Sequence, residues 1–289
     1  MTGILDEYPG AAAAYSLRLL NTDYTGDAVV VRRASDNTTQ NIGFIDGELD
    51  TDALDTFCSG TDGFVTTWYD QSGNGNNSVN STASEQPKIY DSIAGIVLDN
   101  GKTAIEFDGV NDSLDVLSST SIFKFLHDGT SSSIFILCNL ISDDNNFAIL
   151  NTNRRSSSNI GYAMQLDDRS SINRSMVLTS LISAGSAIQV SLNQSQNDFL
   201  TDSAQSLLID LIDADNGTAE NRSELYRDDG NAVKDNSLTN TVSTNDASFD
   251  LEIFNRLGGK LQELIIYPIS QSSNRTGIET NINDFYSIY

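Results

Sequence analysis

Short apolar stretches separated by polar turn clusters run through most of this chain, and that spacing points to antiparallel sheet. The candidate strands are Val29–Arg33, Phe64–Tyr69, Ala104–Asp108, Ser133–Ile141, Phe147–Asn151, Tyr162–Leu166, Met176–Thr179, Ala187–Leu192, Ser206–Ile212, Phe249–Asn255 and Lys260–Tyr267. Within Phe249–Asn255, alternation assigns Leu251, Ile253 and Asn255 to one face and Glu252 and Phe254 to the other. Clusters such as Asn151–Asn159 and Asp213–Asn221 favour turns, because Asn, Asp and Ser side chains bond their own backbone. A parallel α/β sheet requires a crossover between successive strands, usually a helix, and the middle of the chain offers none. The expected fold class is therefore all-β, a jelly-roll sandwich of two packed sheets with a few short helices.

Three helical pieces are expected. Ala11–Leu20 follows Pro9-Gly10 and is rich in helix formers. Asp52–Phe57 has Asp50 or Thr51 as its cap. Ser272–Phe285 places Ile278, Ile282 and Phe285 on one stripe that can dock on the sandwich. With no repeat and no low-complexity linker, residues 1–289 read as one domain, with 1–25 as an N-terminal docking arm and helix.

Forty acidic residues against 16 basic ones give a formal charge of −24, which opposes binding to phosphate backbones and to anionic membranes. No apolar run approaches the roughly 20 residues of a membrane span. Asp6 and Glu7, without a basic cluster, do not read as a secretory signal. Nucleic acid and membrane insertion are thus excluded as partners. The acidity reads either as a solvated surface or as cation capture by Asp/Asn loops. Asp143, Asp144, Asp167 and Asp168 are the candidate ligands for Ca2+, the one cofactor considered. A single histidine, His127, sits in a turn-like phrase and cannot support a multi-histidine zinc site. Whether Cys58 and Cys138 pair stays open; Cys138 lies in an apolar run and reads as a buried thiol.

Two segments carry a resemblance. The first comprises Tyr15-Ser16-Leu17-Arg18-Leu19-Leu20, Tyr24-Thr25-Gly26, Val31-Arg32-Arg33, Ile42-Gly43-Phe44, Trp68-Tyr69-Asp70-Gln71-Ser72-Gly73-Asn74-Gly75 and Gln86-Pro87. It resembles the N-terminal part of arabinofuranosidase B-type catalytic domains, which are concanavalin A-like sandwiches, and still more the lectin-like proteins of bacteriophages. The second runs from Gly259 through Tyr267-Pro268 and Ser273-Asn274-Arg275 to Asn283. It is similar to the last strand and closing helix of laminin-G-like and concanavalin A-like domains in phage virion proteins. Ile105-Glu106-Phe107-Asp108-Gly109 is a further phrase of that superfamily.

Trp68, Tyr69, Asp70, Gln71 and Asn74 have two open readings. Asp70 can close the turn that Gly73 and Gly75 permit, or the group can form a sugar platform with one aromatic stacking and the polar groups bonding hydroxyls. Successive strand residues point to opposite faces, so only one of Trp68 and Tyr69 can line a given site. For the arabinofuranosidases, the resemblance implies a Glu nucleophile on a mid-chain strand and an Asp acid before the closing strands. The matching stretches carry Gln165 and Asn255, amides that can neither attack nor protonate. Glu106 and Asp108 share a strand face but lack a third carboxylate.

These features lead to the expectation of a non-enzymatic phage virion protein, lectin-like, displayed on a tail tip, tail fibre or capsid appendage. Its partners would be other virion proteins and copies of itself, a trimer among the options, with a host-surface glycan as ligand. The alternatives are a glycoside hydrolase or depolymerase acting on polysaccharide, and a capsid decoration protein with no ligand.

Overall fold

The computed structural model describes residues 2–140, 147–154, 159–167, 175–183, 186–191, 204–234 and 242–289. The chain is an all-β sandwich in which one curled antiparallel sheet folds into two layers. Across the first layer the strands run Thr39–Ile42, Val29–Arg33, Gly63–Trp68, Ser78–Val79, Leu114–Val116, Leu251–Asn255, Phe147–Asn151, Gly161–Asp167, Ser175–Ser183 and Ser186–Ser191. Across the second they run Lys88–Asp91, Ile105–Asp108, Gly258–Tyr267, Ser132–Leu140, Ser206–Ile212 and Ser223–Arg227. Gly63–Trp68 belongs to both, pairing with Ser78–Val79 at one end and Lys88–Asp91 at the other.

The two layers differ in what they cover. Leu114, Val116, Leu150, Met164, Leu251 and Ile253 of the first layer share a core with Ile105, Ile136, Leu261 and Leu264 of the second. The second layer is buried on its other face as well, where Phe135, Leu137, Leu207, Ile209, Ile265 and Tyr267 meet Ile4, Leu5 and the helix residues Ile278, Ile282 and Tyr286. That double burial explains why its central strands read as continuous apolar runs and not as alternations.

It also corrects one expectation. Ala11–Leu20 is not a helix; it holds the strand Ala13–Ser16, paired with Glu263–Ile266 of the closing strand. Ala13, Tyr15 and Leu17 enter one core while Ala14 and Leu20 enter the other. Burial on two faces overrides helix propensity, which for this stretch amounts to a few tenths of a kcal/mol per residue. The other two helices form: Thr51–Cys58, with Asp50 accepting from Ala53 N–H at 2.9 Å, and Arg275–Tyr286 against the sandwich. In the latter the buried stripe is Ile278, Ile282 and Tyr286, with Phe285 only partly buried. Cys58 and Cys138 are both free and buried. Among the described residues no helix is long and apolar enough to cross a membrane.

One ion pair joins the chain's ends. Glu263, 1% exposed, receives Arg18 Nη2 on Oε1 at 2.9 Å and Arg18 Nε on Oε2 at 2.8 Å, and Ser16 Oγ donates to the same Oε2. The Arg18 guanidinium also lies 4.9 Å from the Phe285 ring centroid, and its Nη1 donates to Asn281. Arg18→Met leaves the buried Glu263 carboxylate with hydroxyl donors but no cation, and urea denaturation is expected to show a loss of about 3–5 kcal/mol. Glu263→Gln combined with Arg18→Met is expected to recover part of that loss.

A second buried carboxylate, Asp210, is held by Tyr162 OH at 2.9 Å and Ser223 Oγ at 2.7 Å; burial pushes its pKa up to about 7, with both hydroxyls pulling the other way. The folded chain therefore keeps a proton that the unfolded chain has released. Its contribution is fully present below about pH 4 and is lost as pH rises toward 7, by a limit on the order of 4 kcal/mol. Asp210→Asn, which mimics the protonated form, is expected to flatten the fall in stability between about pH 4 and pH 7.

Candidate functional site

The first layer turns one face away from the core, and its polar residues stand in rows set by strand register. One row runs Thr67, Val79, Asp115, Glu252, Asn151 and Ala163, each opposite the next. Leu114 and Val116 flank Asp115 and point into the core, so alternation alone fixes its outward direction. Asp115 and Glu252 are thus cross-strand partners, both half-buried.

Glu252 is held from two sides. Asn151 Nδ2 donates to its Oε2 at 2.9 Å, and Asn255 Nδ2 donates to its Oε1. Asn151 is oriented in turn by the backbone N–H of Arg154, which donates to its Oδ1 at 2.8 Å. Burial pushes the Asp115 carboxyl up to about 7, with the adjacent Glu252 charge adding to the rise and Arg154 opposing it; Asp250 and Glu85 add smaller like-charge effects. Arg154 is exposed and stacks on the Phe249 ring at 4.2 Å.

Asn255 reaches this face because the strand breaks its alternation. Phe254 and Arg256 adopt positive φ, 52° and 54°. Phe254 is thereby turned into the core, its ring centroid 4.9 Å from that of Phe107, and Asn255 swings to the side of Glu252. The expectation that Asn255 lies with Leu251 and Ile253 is therefore wrong. A local kink of this type commonly re-aims a side chain beside a site.

The positions singled out by resemblance do come together in the backbone. Ala148 pairs with Asn255 on one side and Gln165 on the other, so the two amide positions flank a single strand in one row.

The two aromatics of the tryptophan motif are placed differently from one another. Trp68 has no exposed surface and packs 5.6 Å from the Tyr15 ring. Asp70 Oδ1 accepts from Ala14 N–H and Ser72 N–H, and its Oδ2 from Asn76 N–H. Gln71 accepts from Leu20 N–H and donates to the Ser16 and Arg18 carbonyls. Asn74 Nδ2 donates to the Ala11 carbonyl at 2.9 Å. Gly73 and Gly75, at φ 87° and 76°, allow the tight loop that makes these bonds. These groups clasp the N-terminal strand; Tyr69 alone of the two aromatics keeps partial exposure.

Asp143, Asp144 and Asp168 lie outside the described residues, and Asp167 is the last residue of the strand Gly161–Asp167. Among the described residues no group of three or more His, Cys, Asp or Glu is arranged to hold a metal ion. His127 is buried; its Nε2 donates to the Asn245 carbonyl at 3.0 Å, and burial lowers its pKa.

Comparison with known proteins places the resemblance in the N-terminal third. The family described as "Alpha-L-arabinofuranosidase B, catalytic" matches residues 6–107. Alpha-L-arabinofuranosidase B of Emericella nidulans is 39% identical over 95 residues, 31% of this chain and 19% of the relative. A probable alpha-L-arabinofuranosidase B of Aspergillus terreus is 43% identical over 70 residues, 24% of this chain and 14% of the relative. This chain thus spans under a fifth of either relative in the aligned region. Among solved structures, a GH54 α-L-arabinofuranosidase soaked with a cyclic sulfate inhibitor superposes with a TM-score of 0.59 at 17% identity, over 96% of this chain and 64% of that one. An arabinofuranosidase complexed with arabinofuranosyl-α-1,2-xylobiose gives 0.58, likewise at 17% identity, 96% and 64%. The structural likenesses show the β-sandwich fold, and the sequence likeness to arabinofuranosidase B is confined to the N-terminal third.

They also overturn the expectation of a non-enzymatic, lectin-like virion protein on a phage tail or capsid. The sequence relatives found are fungal arabinofuranosidases, not phage proteins, and the virion location falls with that reading.

Sequence reasoning missed Asp115. Its signal is the phrase Leu114-Asp115-Val116, too short to stand out without knowing which strand lies beside it. Carbon-13 NMR titration of the Asp115 carboxyl is expected to give a midpoint near 7. Glu252→Gln should lower that midpoint by removing a like charge, and Arg154→Ala should raise it.

Proposed function

We propose that this chain is a glycoside hydrolase that uses Asp115 and Glu252 on a polysaccharide lacking acidic sugars. The observation that carries this reading is the register that sets Asp115 directly opposite Glu252. Cross-strand partners hold their Cβ atoms about 4.5–5.5 Å apart. Side chains extended from such a pair can set their carboxyl groups at the roughly 5–5.5 Å separation with which retaining glycosidases work.

The environments divide the roles. Asp115, with its pKa near 7, is protonated below neutral pH and about half protonated at pH 7, and serves as the acid. Glu252, gripped by two amide donors that cannot accept a proton from it, serves as the nucleophile. A Glu252 oxygen attacks the anomeric carbon while the bond to the leaving oxygen breaks, and Asp115 gives that oxygen its proton. Water then attacks the glycosyl ester and yields a proton to the Asp115 carboxylate; release of the sugar restores both groups. The formal charge of −24 disfavours uronic-acid polymers, and the match over residues 6–107 puts arabinofuranosides first among substrates to try.

The test is turnover of a panel of 4-nitrophenyl glycosides, beginning with the α-L-arabinofuranoside. Glu252→Gln and Asp115→Asn are each expected to lower kcat by about 10²–10⁴-fold with unchanged circular dichroism. The wild-type rate should fall above pH 7 as Asp115 loses its proton. Turnover that survives Glu252→Gln, or a panel that binds without any cleavage, overturns the proposal.

A further inference from the structure

We propose that Tyr69 is the stacking platform of a second sugar subsite on the outer face that carries Asp115 and Glu252, occupied by a ring farther along the same neutral polysaccharide chain. The identity of that chain rests on the hydrolase reading of the carboxylate pair; the place of the platform rests on strand geometry alone.

The direction of Tyr69 follows from its neighbour. Trp68 and Ser78 are register partners, and neither has exposed surface. Thr67 and Tyr69 flank Trp68 and so point the other way, and Thr67 stands in the row that contains Asp115 and Glu252. Tyr69 N–H donates to the Ala28 carbonyl at 2.9 Å, which carries the pairing with Val29–Arg33 on past Trp68. Asp70 N–H reaches Asn77 Oδ1 at 3.0 Å, which sets Asn77 alongside Tyr69. Two strand spacings of about 4.8 Å and two residues of about 3.4 Å then put Tyr69 about 12 Å from Asp115, backbone to backbone. One ring held at the carboxylates cannot bridge that gap, whereas an extended chain of sugars can.

The platform is built to stay still. On one side of Tyr69, Trp68 packs 5.6 Å from the Tyr15 ring; on the other, Asp70 accepts the N–H groups of Ala14, Ser72 and Asn76. Tyr69 itself is half-buried, and among the described residues its hydroxyl has no hydrogen-bond partner. A tyrosine held in this way offers a ring face and a polar tip at little entropic cost. A sugar matches both, with C–H groups for the ring and hydroxyls for the tip. Leu117, immediately after the inward Val116 and 62% exposed, adds apolar surface on the strand of Asp115. The formal charge of −24 disfavours an acidic chain here as well.

The test is affinity electrophoresis of the full chain carrying Glu252→Gln, in gels cast with arabinan, arabinoxylan or galactan. Steady-state hydrolysis of the same polymers and of 4-nitrophenyl α-L-arabinofuranoside is measured with Glu252 intact. At least one polymer is expected to retard the chain, and Tyr69→Ala to weaken that affinity about three- to tenfold. Tyr69→Phe, which keeps the ring, should retain more than half of it. In hydrolysis, Tyr69→Ala should raise the ratio of polymer KM to nitrophenyl-glycoside KM by the same factor. Tyr69-dependent retardation of a chain that cleaves nothing keeps the subsite and sinks the hydrolase reading. Cleavage with a KM ratio indifferent to Tyr69→Ala does the reverse. The subsite is also overturned by absence of retardation in every gel, by Tyr69→Phe as weak as Tyr69→Ala, or by self-association in sedimentation that Tyr69→Ala abolishes.

Discussion

The buried pair of Arg18 and Glu263 is the interaction on which the layout of this molecule depends. Glu263 sits in a closing strand whose neighbours are apolar on both faces, a setting that would eject an unpaired charge. Arg18 meets it from the N-terminal strand, and Tyr286 and Asn281 meet the pair from the C-terminal helix. One electrostatic contact thereby fixes both ends of the chain on the second layer. The consequence is asymmetric: the second layer is covered by the C-terminal helix and the N-terminal segment, whereas the first layer carries the row of Asp115, Glu252 and Asn151 on the face turned from the core. On such a face polar residues can stand in rows without disturbing the core.

The same asymmetry accounts for what could be read from residues alone. All eleven candidate strands form, because each is either a clean alternation or an apolar run bounded by turn residues. The Ala11–Leu20 segment deceived because its alanines and leucines favour helix locally, and only the two cores it bridges reveal a strand. The tryptophan phrase was legible as a tight turn, and the hydrogen bonds of Asp70 and Gln71 to backbone follow that reading. Its resemblance to arabinofuranosidases was legible too, whereas the phage reading took a shared sandwich vocabulary for a shared biology.

The site was less legible, for a geometric reason. Asp115 and Glu252 are 137 positions apart and meet only through strand register. Asn255 reaches Glu252 only because positive φ at Phe254 and Arg256 reverses the expected alternation. Phe254 accepts that strain because its ring gains a place against Phe107 in the core. A pattern rule that counts every second residue cannot anticipate a kink whose compensation lies on another strand.

The amides at Gln165 and Asn255 then take on a different meaning. They occupy the row that contains Ala148, and the carboxylates Asp115 and Glu252 occupy the row that contains Asn151. The rows lie two positions apart on Gly161–Asp167, from Gln165 to Ala163, and three apart on the other two strands, from Ala148 to Asn151 and from Asn255 to Glu252. Acid chemistry is absent from the positions that the resemblance marks, yet Glu252 stands on the same strand as Asn255, with Asp115 on the strand beside it. Asn255 connects the rows, since its amide grips Glu252 where a carboxylate at that position would repel it. An amide at position 255 and a carboxylate at position 252 are thus mutually consistent, and Asn255→Asp would set two like charges at hydrogen-bond distance.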